Sequence, residues 1–240
     1  PSRPHRPRSG TGSRCRSGVP PRHCREGEPQ LRHGTATAQP GPSHGPSQAG
    51  PGQNGAMDAT QNPTTGVLLE QLTWHWDNHL RPRLEGMADD EYLWRPTPDA
   101  WTIHFAESAA PTIDFAYPPP DPAPVTTIAW RLAHVIVGCL GARAANHFGG
   151  PPVDYFTFPY SPTATGALDQ LDEAYARWVA GVSSLSDADL QRPVGPTEGP
   201  WAEHSMGTLV AHINREVIHH GAEMCLLRDL YAHGPDLARP

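Results

Sequence analysis

The residues best placed to do chemistry are His212, Glu216, His219, His220 and Glu223. All lie in M-G-T-L-V-A-H-I-N-R-E-V-I-H-H-G-A-E-M-C-L-L-R-D-L-Y, Met206 to Tyr231. No proline interrupts this stretch, and Ser205 precedes it as a cap, so it predicts one long helix over 206–231. At about 100° per residue, Leu209, His212, Glu216, His219, His220, Glu223 and Leu227 share one side of that helix. Ile213, Val217 and Met224 flank them, so imidazoles and carboxylates fall within or beside the apolar face. Such groups are costly to bury unless paired, hydrogen-bonded or bound to a metal. The stripe therefore needs a partner from elsewhere in the chain.

One candidate partner is His134. It is the one acidic or basic residue between Arg131 and Arg143 in an otherwise apolar helical stretch, Thr126 to Phe148. Glu216 and His220, four residues apart, are neighbours on one helix face. With His134 they make two imidazoles and a carboxylate with a coordination position to spare, the composition of an open catalytic metal centre. Zinc is the expected ion, and nickel or ferrous iron would accept the same donors. His212 or Glu223 would stand behind the ligands, orienting a ring or moving a proton. His219 competes with His220 for the last ligand position. The bland alternative is a buried hydrogen-bonded network joining the two helices without metal. His75 and His79 repeat the four-residue spacing, but the reading favoured for them is His79 packed partly inside and His75 facing solvent.

Four helical segments must position these groups. Val67, Leu68, Leu72, Trp76, Leu80 and Leu84 recur at threes and fours over 64–86, with Pro82 set to kink or end that helix. The second helix, 126–148, is apolar nearly all round and so expected to be central, with Gly138 and Gly141 allowing another helix to approach. The third runs over 164–184 and the fourth over 206–231. Each of the first and third is followed by a short acidic turn ending Arg-Pro, D-D-E-Y-L-W-R-P and L-S-D-A-D-L-Q-R-P. Thr97 to Pro124 and Gly149 to Pro162 are long aromatic and Pro-rich connections that read as packed covers over a site. With no convincing strand alternation, the expected fold is all-α, a four-helix bundle with long cover loops and no sheet.

Composition divides the chain. Residues 1–56 hold ten Pro, ten Gly and eight Arg and lack aromatics, whereas all seven Trp, six Tyr and five Phe lie beyond. A segment of that kind cannot offset its ordering entropy, so 1–56 is expected to be a disordered tail upstream of a natural start at Met57. Eight Arg against Glu26 and Glu28 give it +6, so a chain net of −7 leaves −13 for 57–240. An acidic body without Lys repels phosphate backbones, so nucleic acid is not expected as a partner. No signal-peptide pattern and no span of about 20 apolar residues stands out, so no membrane is expected. Cys139 and Cys225 read as core residues in a reducing cytoplasm, not as nucleophiles.

The body from Met57 to about Ala232 resembles the DinB-like, or DinB/YfiT-type, four-helix bundle proteins. The motifs that carry the resemblance are I-A-W-R-L-A-H (Ile128 to His134), N-R-E-V-I-H-H-G-A-E (Asn214 to Glu223) and the D-D-E-Y-L-W-R-P turn. That family includes mycothiol- and bacillithiol-dependent S-transferases and the N-terminal module of maleylpyruvate isomerase. The resemblance implies a divalent metal held by one His of the second helix and an H-x-x-x-H pair of the fourth, which places His134 and His220. Glu216 stands where typical members carry His, and a carboxylate is a competent ligand there. The activity implied is metal-dependent transfer of a small-molecule thiol to an electrophile. The alternative is a non-catalytic metal or small-ligand binding bundle, and a homodimer is the oligomer expected in either case.

Overall fold

The computed structural model describes residues 63–118 and 120–237; the expectations for 1–56 and for a start at Met57 lie outside the described residues. The described chain is mostly helical. Helix α1 (Pro63–His75) continues through a π-helical turn (Trp76–Leu80) into α2 (Arg81–Leu84). Pro82 has no amide to donate and would crowd the carbonyl of residue 78 in a regular α-helix. The widened turn before it, closed by Arg81 N–H to the Trp76 carbonyl, accommodates that demand without a break. Helix α3 (Asp89–Tyr92) is the short acidic turn after this first rod.

Helix α4 (Ile128–Ala133) opens under a cap in which the Thr127 hydroxyl accepts from the Trp130 amide, 3.2 Å. It passes through a π-helical stretch (His134–Gly141) into α5 (Ala142–Phe148). Helix α6 (Ala164–Ser183) is capped by Thr163, and α7 (Asp187–Gln191) by a reciprocal Ser186–Asp189 box. Helix α8 (Met206–Leu237) starts where Ser205 Oγ accepts from the Thr208 amide, 3.2 Å. Both acidic Arg-Pro turns thus contain a short helix, α3 and α7.

The rods share one core. Helix α8 packs on α1, α4 and the π-helical stretch after α4, while α6 packs on that same stretch, on α5 and on α1. Leu72, Leu80, Leu132, Leu140, Leu171, Trp178, Val217 and Met224 are fully buried between them. By length and composition Ile128–Phe148 could cross a membrane, contrary to the sequence expectation, but 72% of its apolar window is buried in this core.

One expectation fails outright. The connection after α3 holds a small antiparallel hairpin, β1 (Ile103–Ala106) and β2 (Ala109–Ile113), so the fold is not sheet-free. Ile103 pairs with Ile113 and both are buried. The hairpin is pinned to the start of α4: Thr127 Oγ1 donates to Thr102 Oγ1 at 3.1 Å, and the Trp130 indole N–H to the Asp114 carbonyl at 2.7 Å. It is held as a clip on a helix end, since two strands alone are marginal in water.

Candidate metal centre

The π-helical stretch and α8 bring His134, Glu216 and His220 together. One ligand atom from each lies within 4.8 Å of the other two. The rings of His134 and His220 meet edge to face, centroids 4.6 Å apart at 90°, and His220 Nε2 is 3.4 Å from Glu216 Oε2. His220 is buried and Glu216 half-buried, while the His219 side chain is 63% exposed, which separates two neighbours the spacing left in competition.

Each imidazole is backed on its far nitrogen. The carboxylate of Glu223 can only accept, so His220 donates through Nδ1 to Glu223 Oε2 at 2.6 Å, leaving Nε2 toward Glu216. Arg131 from α4 in turn holds Glu223, Nε to Oε2 at 3.0 Å. His134 Nδ1 is 2.8 Å from the Tyr155 hydroxyl, leaving its Nε2 as the nitrogen for a ligand. Burial first, and then the positive charge of His220, Arg131 and Arg143, pushes the His134 pKa down to about 3. A histidine so held is neutral at pH 7, the form a metal takes.

His212 stands outside Glu216, Nδ1 to Oε1 at 3.4 Å, and accepts from Arg215 at 2.7 Å. It is half exposed, so it links the carboxylate to solvent. His219, His220 and Glu223 also form a compact group. Its carboxylate is already engaged by Arg131 and its outer ring is exposed, so it is the weaker cradle.

Tyr155 is the functional residue that sequence reasoning passed over, treating it as one of several aromatics in a cover loop. Its signal was Gly138. A Cβ at Gly138 would strike the Tyr155 hydroxyl and come within 3.3 Å of His134 Nδ1, so glycine makes room for the phenol to reach the ring. The close approach expected of another helix at Gly138 and Gly141 is thus made by loop residues, Tyr155 and Val153. Phe115, leaving β2, packs on Tyr155 and Phe156 at 5.4 and 5.6 Å, so the two connections do meet over this side of the site.

His75 and His79 stack on each other at 6.0 Å, with no third ligand group gathered beside them among the described residues. Their burial is the reverse of the expectation, His75 partly buried and His79 exposed. Cys139 is buried, and burial followed by the charge of Glu216 raises its thiol pKa to about 12, which suits a core residue.

A sequence model of the DinB superfamily matches residues 71–224, a span that contains the whole triad. The chain belongs to the DinB superfamily. No curated protein and no solved structure matches it significantly. Two imidazole nitrogens and a carboxylate oxygen, with both rings oriented from behind, are a donor set that fits a divalent transition metal.

Proposed function

We propose that this DinB-superfamily chain is a four-helix bundle enzyme of the cytoplasm that transfers a small-molecule thiol to an electrophile with the help of a divalent metal, zinc first. The observation that carries the reading is the convergence of His134, Glu216 and His220, with the Nδ1 of each ring occupied and its Nε2 left as the nitrogen for a ligand. A zinc ion there supplies the charge that favours a thiolate over a thiol at neutral pH.

The chain's own residues do the rest. His134, Glu216 and His220 would hold the metal and so set where the thiol binds. Tyr155 and Glu223 keep the rings aimed. Phe115, Tyr155 and Phe156 wall one side and limit water. The thiol proton would pass to the half-buried Glu216 carboxylate and on to solvent, and the sulfur lone pair would form the new S–C bond as the bond from that carbon to its leaving group breaks, the group departing with the electron pair. Cys139 and Cys225 take no part, since the nucleophile is the incoming thiol.

The test measures metal content of protein purified without a His-tag, then depletion of thiol in mixtures of protein, thiol and electrophile. Stoichiometric metal with catalysed depletion supports the enzyme. Metal without turnover leaves a metal-binding bundle protein, and no metal removes the basis of both. Sedimentation at several concentrations tests the further expectation of a homodimer.

A further inference from the structure

Beside the triad lies a cavity of about 380 Å³ whose lining includes Arg143, Trp201, His204, Leu209, His212 and Arg215. It adjoins the metal centre through His212, which touches Glu216, and through Arg143, whose charge is felt at His134. That volume lies within the range, roughly 300–1,000 Å³, typical of small-molecule sites.

Its charge is specific. The one carboxylate in the lining, Glu198, is buried with both oxygens engaged inside the wall, Oε1 by His147 at 3.0 Å and Oε2 by Arg143 at 3.4 Å. Arg215 is paired more loosely, with Glu216 on the metal-centre side. It donates to the His212 ring at 2.7 Å and stands 3.9 Å from Glu216 Oε1, with its side chain 71% exposed. The lining itself thus carries two guanidinium groups against one carboxylate, on a body whose overall charge is negative. The lining also has apolar surface. Val194, Leu209 and Ala211 line it, and the Trp201 indole, 62% exposed, stands at its edge with His204 edge-on at 5.2 Å.

We propose that this cavity binds the electrophilic substrate, and that this substrate is a small carboxylic acid with a flat apolar body. Its carboxylate pairs with the guanidinium of Arg215, a planar fork suited to a planar anion. Its body lies along Trp201 and Leu209, so the carbons next to the carboxylate are the ones nearest the metal centre. The inference rests on the transferase reading for the role of the ligand, but the binding itself does not need a metal.

The test titrates full-length, zinc-loaded protein with benzoate and with its uncharged analogue benzamide, at constant ionic strength, by calorimetry and tryptophan fluorescence. Benzoate is expected to bind about tenfold more tightly, the worth of one charge-assisted contact. Arg215→Gln is expected to remove that difference while zinc content stays the same. Trp201→Ala is expected to weaken both probes alike.

A carboxylate can also ligate zinc, so the same titrations are run on chelator-treated, dialysed protein and on His134→Ala. Preference for benzoate retained without metal, and lost in Arg215→Gln, supports the cavity. Preference that disappears with the metal, equal binding of the two probes, or an Arg215→Gln protein that still discriminates would overturn it. Should wild-type protein bind no zinc yet still discriminate through Arg215, the transferase reading falls and the anion site stands.

Discussion

Two clusters in this molecule are built from the same three residue types and differ in what they leave over. In one, Glu198 is enclosed by His147 and Arg143, with one oxygen taken by each. In the other, Glu223 is likewise held between His220 and Arg131, but the His220 ring has a second nitrogen that faces Glu216 and His134. The first cluster is closed and ties the Pro196–Trp201 turn to α5. The second is open, because its ion pair serves only to aim a ring at further donors. The presence of a buried His–Glu–Arg group is thus no sign of a site. A surplus of converging donor atoms is.

The contrast breaks most directly at His134. His134→Ala should take zinc from stoichiometric to absent by elemental analysis while the helical circular dichroism persists. Bound zinc in that variant would show that the donors converge for another reason. Glu198→Ala should do the opposite. Removing one member of a buried ion group costs about 3 kcal/mol in thermal or denaturant unfolding, with zinc stoichiometry intact.

Acid should reveal the same cluster. The His147 hydrogen bond, and then Arg143, hold the Glu198 carboxyl below its ordinary value of 4.5. A depressed carboxyl stabilises the fold above that ordinary value, and the contribution is lost as pH falls through the lower folded value. Glu198→Gln should therefore flatten the acid limb of stability against pH below 4.5. An unchanged limb would show that Glu198 contributes nothing to it.

Smaller effects sharpen the comparison. Glu223→Gln keeps the shape but weakens the orienting acceptor behind His220, and should lower zinc affinity about 10- to 100-fold in competition with a chromophoric chelator. Tyr155→Phe loses one hydrogen bond between uncharged groups, and should cost about three- to tenfold. His75→Ala should leave zinc affinity unchanged, and a drop there would mean that the first rod reaches the site after all.

Much of this was legible in the chain. Helical periodicity located the long rods, and the four-residue spacing of Glu216 and His220 with a lone His134 on an apolar helix drew the triad together. What spacing cannot convey is side-chain contact between distant segments. His147 and Glu198 are 51 residues apart and neither lies in a pattern that points at the other. Tyr155 sits in a loop, where no periodicity says which aromatic turns inward. The hairpin was missed because Ala109–Ile113 reads A-A-P-T-I, with small residues and a proline, and takes its stability from docking on α4. The order of burial of His75 and His79 was inverted because the π-helical turn begins between them and changes the angle each residue presents.

The wide turn after His134 also governs how this protein tolerates changes of length. Ala142 N–H reaches back five residues to the Val137 carbonyl, so the stretch carries one residue beyond regular α-helical spacing. Deleting one residue there would let α4 and α5 close into an unbroken α-helix with Arg143 and His147 still in phase with His134, because the wide turn spends an extra residue on the same rotation. A deletion within the regular helix Ala142–Phe148 has no such surplus to draw on and would rotate all that follows by about 100°. The wide stretch is therefore where this rod can lose a codon and keep metal ligand and pocket aligned.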